Sequence, residues 1–137
     1  MNRDELLKRY AAGERDFSGV DLSRAKLKGV ELYGVNLSKA NLSNVDLHYA
    51  DIICSNLQEA NLSEVHLDHT RIDECNLTGA NLRGMYAFQS SFEGSNLTGA
   101  DLSQARLREI GLQGVNLSDT NWEKANIDNW FVVEFKH

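Results

Sequence analysis

His48, His66 and His69, with Asp46 and Asp68 beside them, are the first residues whose types could do chemistry, because imidazoles and carboxylates are common metal ligands. A metal site also needs a closed cage and hydrogen-bond partners that orient each ligand, so the question is what element carries these side chains. Cys54 and Cys75 are too few for a disulfide framework or a four-thiolate zinc site, and there is no CxxC. No GxSxG, P-loop, HExxH or dinucleotide fingerprint occurs. Asn-Leu-Ser/Thr at Asn36, Asn41, Asn61, Asn76, Asn96 and Asn116 imitates glycosylation acceptors. Its regular recurrence points instead to the pattern that organises the whole chain.

That pattern counts in fives. In GVNLSKANLSNVDL, from Gly34 to Leu47, leucines fall at 37, 42 and 47, each after Asn or Asp and two after Val or Ala. A helix advancing 100° per residue would wind these leucines around its surface. A flat strand would send successive ones to opposite sides, because five is odd. The phase runs without insertion from Phe17 to Ile127 as 23 units, or 115 residues, and Leu is the centre in 16 of them. Two residues before the centre stands a Val, Ala, Ser, Thr, Cys or Ile, except at Arg15 and Met85. A near right-angled bend in each unit would point both positions at one axis, so that four units close a square coil of 20 residues.

ANLSN, ADLSQ, SNLTG and VNLSD within this run resemble the pentapeptide-repeat family, whose unit is a small residue, Asp or Asn, Leu or Phe, a polar residue and often Gly. The resemblance implies an all-β fold, a right-handed quadrilateral β-helix of almost six coils with leucines stacked in interior ladders. At about 4.8 Å per coil the rod would be roughly 27 Å long. Glycines such as Gly19 and Gly99 fall two after a centre, at the corner, where a permissive backbone is useful. The division expected is a capping helix within residues 1–14, the β-helix over 15–129 and a tail over 130–137. Leu6, Leu7, Tyr10 and Ala11 have helical spacing, with Asp4 and Glu5 in the first turn and Gly13 past the end. In the tail, Trp130, Phe131, Val133 and Phe135 leave the pattern and are read as a cap on the last coil or an end-to-end dimer contact.

Residues 20 apart stack, so the chain unrolls into four faces. The first, centred on Phe17, Leu37, Leu57, Leu77, Leu97 and Leu117, has Asp or Asn before every centre, as does the second, on Leu22, Leu42, Leu62, Leu82, Leu102 and Trp122. Short amides and carboxylates bond nearby backbone at turns, so these two faces are assigned to the fold. The third, on Leu27, Leu47, Leu67, Ala87, Leu107 and Ile127, departs from that rule. It presents His48, Tyr49, His66, His69, Tyr86, Phe88, Arg106 and Arg108, a mixture typical of interface hot spots and the expected partner-binding surface. The fourth, on Leu32, Ile52, Ile72, Phe92 and Leu112, is acidic, with Glu31, Asp51, Asp73, Glu74 and Glu93 relieved by Arg71. In MYAFQ, Met85 and Ala87 exchange the large and small sites, and a bulge there would turn Phe88 inward.

Outward ladders on flat faces offer no metal cage, and Cys75 replaces Ser55 in an inward column while Cys54 points outward. No metal, cofactor, disulfide or catalysis is therefore expected. A net charge of -6 disfavours direct nucleic-acid binding. The mean hydropathy of -0.42, with no long apolar run and no signal-peptide pattern, indicates a cytoplasmic protein that crosses no membrane. The functional expectation is a non-enzymatic binding or scaffold module for a macromolecular partner, monomeric or an end-to-end dimer. Relatives in the family, widespread in bacteria and notably cyanobacteria, include DNA mimics that act on type II topoisomerases, which makes the acidic face the basis of an alternative. An inert spacer is the third reading.

Overall fold

The computed structural model describes residues 1–128 and the backbone of residues 135 and 136. After helix α1 (Arg3–Ala11) come β1 (Glu31–Tyr33), β2 (Asp51–Ile53), β3 (His66–Asp68), β4 (Tyr86–Phe88), β5 (Arg106–Arg108), β6 (Val115–Asn116), β7 (Asn126–Asp128) and β8 (Phe135–Lys136). Every pairing is parallel and joins residues 20 apart, giving sheets β1-β2, β3-β4-β5-β7 and β6-β8. Single bridges continue this register on every face. Five successive steps, from Asp16 through Asn36, Asn56, Asn76 and Asn96 to Asn116, mark five full turns of a four-sided β-solenoid.

The bend that makes five a workable period is a left-handed residue two after each centre from Phe17 to Trp122. Fourteen such residues are not glycine, with φ between 47° and 61°, so the turn is imposed by the coil rather than permitted only by glycine. On the first and second faces the side chain before the centre holds this turn. Asn56 Oδ1, for example, accepts the Gln58 N–H at 3.0 Å, and Asn76 Oδ1 that of Thr78 at 3.0 Å. The same bond forms at every Asp and Asn before a centre on both faces, from Asp16 to Asn121. The three-residue strands all lie on the third and fourth faces, where most residues before the centre cannot form that bond and the segment straightens.

After β1, β3 and the bridged segment at Arg71, the inward backbone N–H is bonded by a hydroxyl from the coil above. The N–H groups of Val35, Thr70 and Cys75 donate to the Oγ atoms of Ser55, Ser90 and Ser95 at 3.1, 3.1 and 2.9 Å. Inside, the centres and small residues form one continuous core from Leu6 to Val115. Met85 and Ala87 are both fully buried, and the pairing Leu67↔Ala87↔Leu107 is unbroken. No bulge forms, because Met85 fills the volume that Ala87 vacates, and Phe88 stays on the outward side, half-buried. Cys75 is buried, its thiol pushed up to about 12 by desolvation, and Cys54 is exposed, both as free thiols.

The first coil has no coil beneath it, and the N-terminal segment with α1 supplies the missing hydrogen-bond partners. The Met1 ammonium donates to the Asp21 carbonyl at 2.9 Å, Arg3 to that of Lys28 at 2.7 Å, and the Tyr10 hydroxyl accepts the Tyr33 N–H at 3.1 Å. Leu6 is fully buried against the core, and Asn2 caps the helix by accepting the Glu5 N–H. At the other end Leu117, Trp122 and Ile127 are only half-buried. The backbone of β8 pairs with β6 in the twenty-residue register, Val115↔Phe135. Trp130, Phe131 and Val133, and the side chain of Phe135, lie outside the described residues.

Candidate functional site

The third face is built on β3, β4, β5 and β7, whose alternation turns each centre inward, fully buried in β3, β4 and β5 and half-buried in β7, and the residue on either side outward. Its side chains form two lines. One edge carries a stack of aromatic and cationic groups. Lys28 Nζ lies 5.8 Å above the Tyr49 ring, Tyr49 stacks on His69 with centroids 5.1 Å apart and planes within 13°, and His69 meets Phe88 edge-on at 6.2 Å. Arg108 covers the far side of Phe88 at 5.5 Å. Tyr49 remains 56% exposed, so the stack is a surface rather than core packing. Each ring reaches the next because coils are spaced close to the distance at which π systems and cations attract.

Behind this stack the acid–imidazole cluster is closed upon itself. His48 Nδ1 pairs with Asp46, His48 Nε2 lies 3.9 Å from Asp68, and His69 Nδ1 is 2.5 Å from the other Asp68 oxygen. Burial alone would raise the Asp46 carboxyl, but the backbone N–H and ring of His48, with His66 nearby, hold it below the ordinary range. Among the described residues no three His, Cys, Asp or Glu side chains are placed to hold a metal ion. The cluster fixes the orientation of His48 and His69, and through His69 that of the stack.

The other edge brings His66 and Tyr86 together, with rings 6.0 Å apart and tilted by 39°. Arg106 follows in register with Tyr86. These residues line one side of a shallow groove of about 640 Å³ along the corner to the second face, opposite Glu64, Gly84 and Lys124. Glu64 and Lys124 were not among the residues singled out in the sequence. The signal for them was the corner column Glu64, Gly84, Gln104, Lys124, in which one glycine stands among longer side chains.

On the fourth face the five carboxylates do not form one exposed array. Asp73 is buried, accepts from the Ser91 hydroxyl at 2.6 Å and pairs with Arg71 Nε at 3.3 Å. Glu31, Glu74 and Glu93 are exposed, and Asp51 is half-buried. The Glu74 carboxylate leans over Gly94, where an added Cβ would come within 2.3 Å of it. Tyr33, 63% exposed, shares this face with Cys54, which raises the phenol's proton affinity through a hydrogen bond and charge.

The pentapeptide-repeat family model matches in eight copies, over residues 16–52, 46–84 and 75–110. Rfr23, a pentapeptide repeat protein of the cyanobacterium Cyanothece 51142, is 27% identical, covers 93% of this chain and 98% of its own, and superposes with a TM-score of 0.63. QnrB1, a plasmid-mediated fluoroquinolone resistance protein, shares the fold at 15% identity and a TM-score of 0.68, covering 82% of this chain and 70% of its own. A pentapeptide repeat protein of the Arabidopsis thaliana thylakoid lumen is 34% identical over 66% of this chain and 67% of its own, with a TM-score of 0.43. No curated protein matches the chain.

Proposed function

The chain belongs to the pentapeptide-repeat family, and from that premise we propose that it is a non-enzymatic binding module acting in the cytoplasm, whose third face docks a protein partner. The observation that carries this reading is the stack Lys28, Tyr49, His69, Phe88 and Arg108. Its aromatic members are aligned and partly exposed on a face where most residues before the centre hold no turn. Aromatic and Arg side chains held rigid before docking lose little entropy on binding, which is why such residues concentrate affinity. Among the described residues no helix is long and apolar enough to cross a membrane.

The test is capture from cell lysate with the protein immobilised. Tyr49 and His69 both lie at left-handed turns, so Tyr49→Asn and His69→Asn retain a residue type suited to that backbone. Combined with Arg108→Ala they are expected to abolish capture while leaving the thermal midpoint within a few degrees. Retained capture removes the stack from the function. The acidic fourth face supports a DNA-mimic role less well, because Asp73 is closed into the coil and paired with Arg71. Inhibition of gyrase supercoiling at micromolar protein would reverse that ranking.

A further inference from the structure

We propose that the corner groove beside β3, β4, β5 and β7 binds an extended acidic segment of a protein partner, with Arg106 and Lys124 receiving its carboxylates. The inference rests on the third face being a docking surface and specifies the chemistry of what docks there. Arg106 and Lys124 are exposed, and neither has an ion-pair partner among the described residues. Most other cations on this side are engaged: Lys28 over Tyr49, Arg108 over Phe88, and Arg83 donating to Ser103 at 3.4 Å. Gln104 stands beside Lys124 on one wall of the groove and Asn126 beside Arg106 on the other, and both add amide donors. Guanidinium, ammonium and two amides facing one another across this end of the groove make a donor-rich surface that suits a carboxylate, which accepts bonds and donates none.

The shape favours a linear segment. From the level of Glu64 to that of Lys124 the groove crosses three coil steps, roughly 14 Å at about 4.8 Å per coil, the length of about four residues of extended chain. Gly84 lines the groove at the rung where Tyr86, 39% exposed, presents a ring. The Glu64 carboxylate leans over Gly84 at this same rung, 2.3 Å from where a Cβ would stand, and so lies toward the end away from Lys124. The groove is therefore polar along its axis, and a segment with its carboxylates toward Arg106 and Lys124 avoids Glu64. Two cations beside one carboxylate are too few for a polyanion such as nucleic acid, whose charges recur at every step.

The test uses a fluorescein-labelled peptide of about six residues, Gly-Ser-Gly-Ser-Glu-Glu, read by anisotropy against its Lys-Lys counterpart and against a uronate oligosaccharide of similar length. The wild-type chain is expected to bind the Glu-Glu peptide saturably and in a salt-sensitive manner. Arg106→Glu with Lys124→Glu is expected to weaken that binding about tenfold or more and to confer binding of the Lys-Lys peptide. Both side chains are exposed, and an unchanged circular dichroism spectrum establishes that the double variant folds. No saturable binding of the Glu-Glu peptide, equal binding by the double variant, or preference for the uronate overturns the proposal. Lysate capture distinguishes the two levels. If capture survives Arg106→Glu with Lys124→Glu but is lost in the stack variant, the third face stands as the docking surface and the groove does not.

Discussion

Ser95 Oγ accepts the Cys75 N–H at 2.9 Å and donates to the Ile72 carbonyl at 2.8 Å, both inside the coil. Removing that oxygen leaves a buried donor and a buried acceptor unpaired, so Ser95→Ala is expected to lower unfolding free energy by about 1–3 kcal/mol, measured by urea denaturation. Ala100→Ser, in a column where the turn bonds are intact, should bring no comparable gain. The carboxylates before the centres behave differently from the amides in the same columns. Asp101 is held below the ordinary range by hydrogen bonds from the hydroxyl and backbone of Ser103, which outweigh desolvation. A carboxyl lowered by folding contributes stability above its unfolded value near 4, and that contribution is lost as pH falls through the lowered folded value. Asp101→Asn cannot titrate, and thermal midpoints of the two proteins measured between pH 7 and pH 2 should converge or cross as the acid limit is approached.

At the scale of the element, the turn and the cap follow different rules. Lys39 sits at φ 57° with its side chain well exposed, and its pairing with Glu59 at 3.8 Å is a surface contact of small worth. Lys39→Gly relieves the left-handed strain at some cost in chain entropy, and a gain of about 0.5–1 kcal/mol is expected in the same denaturation assay. The turn column was legible in the sequence because glycines recur two after the centre. That its fourteen non-glycine members adopt the same angle was not, since side-chain type alone does not force a positive φ. The capping helix was legible from the spacing of Leu6, Leu7 and Tyr10. The use of the Met1 ammonium and Arg3 to pair first-coil carbonyls was not, because it depends on where the helix lands. Among the candidate residues, Tyr49 and His69 could be stacked by the interval of twenty alone. His69 and Phe88 are nineteen apart, and their edge-on contact belongs to adjacent columns that only coordinates bring together. Asp73 read as an exposed acid because its partner Ser91 is eighteen residues away and off the column.

For the whole molecule, the four-sided coil separates labour among faces. Two faces use their Asn and Asp side chains to hold turns, and the other two carry the three-residue strands, with Ser55, Ser90 and Ser95 accepting the inward N–H groups of Val35, Thr70 and Cys75. Side chains before the centre on the third face are thereby largely released from holding turns, His66, Tyr86 and Arg106 among them. Urea denaturation of two paired variants compares the two kinds of face most directly. Asn56→Ala with Asn76→Ala removes two turn bonds and is predicted to cost about 1–3 kcal/mol, whereas His66→Ala with Tyr86→Ala should change stability by no more than about 1 kcal/mol. The reverse order, with the histidine and tyrosine costing more than the two asparagines, would contradict the division between faces whose side chains hold the fold and faces whose side chains do not.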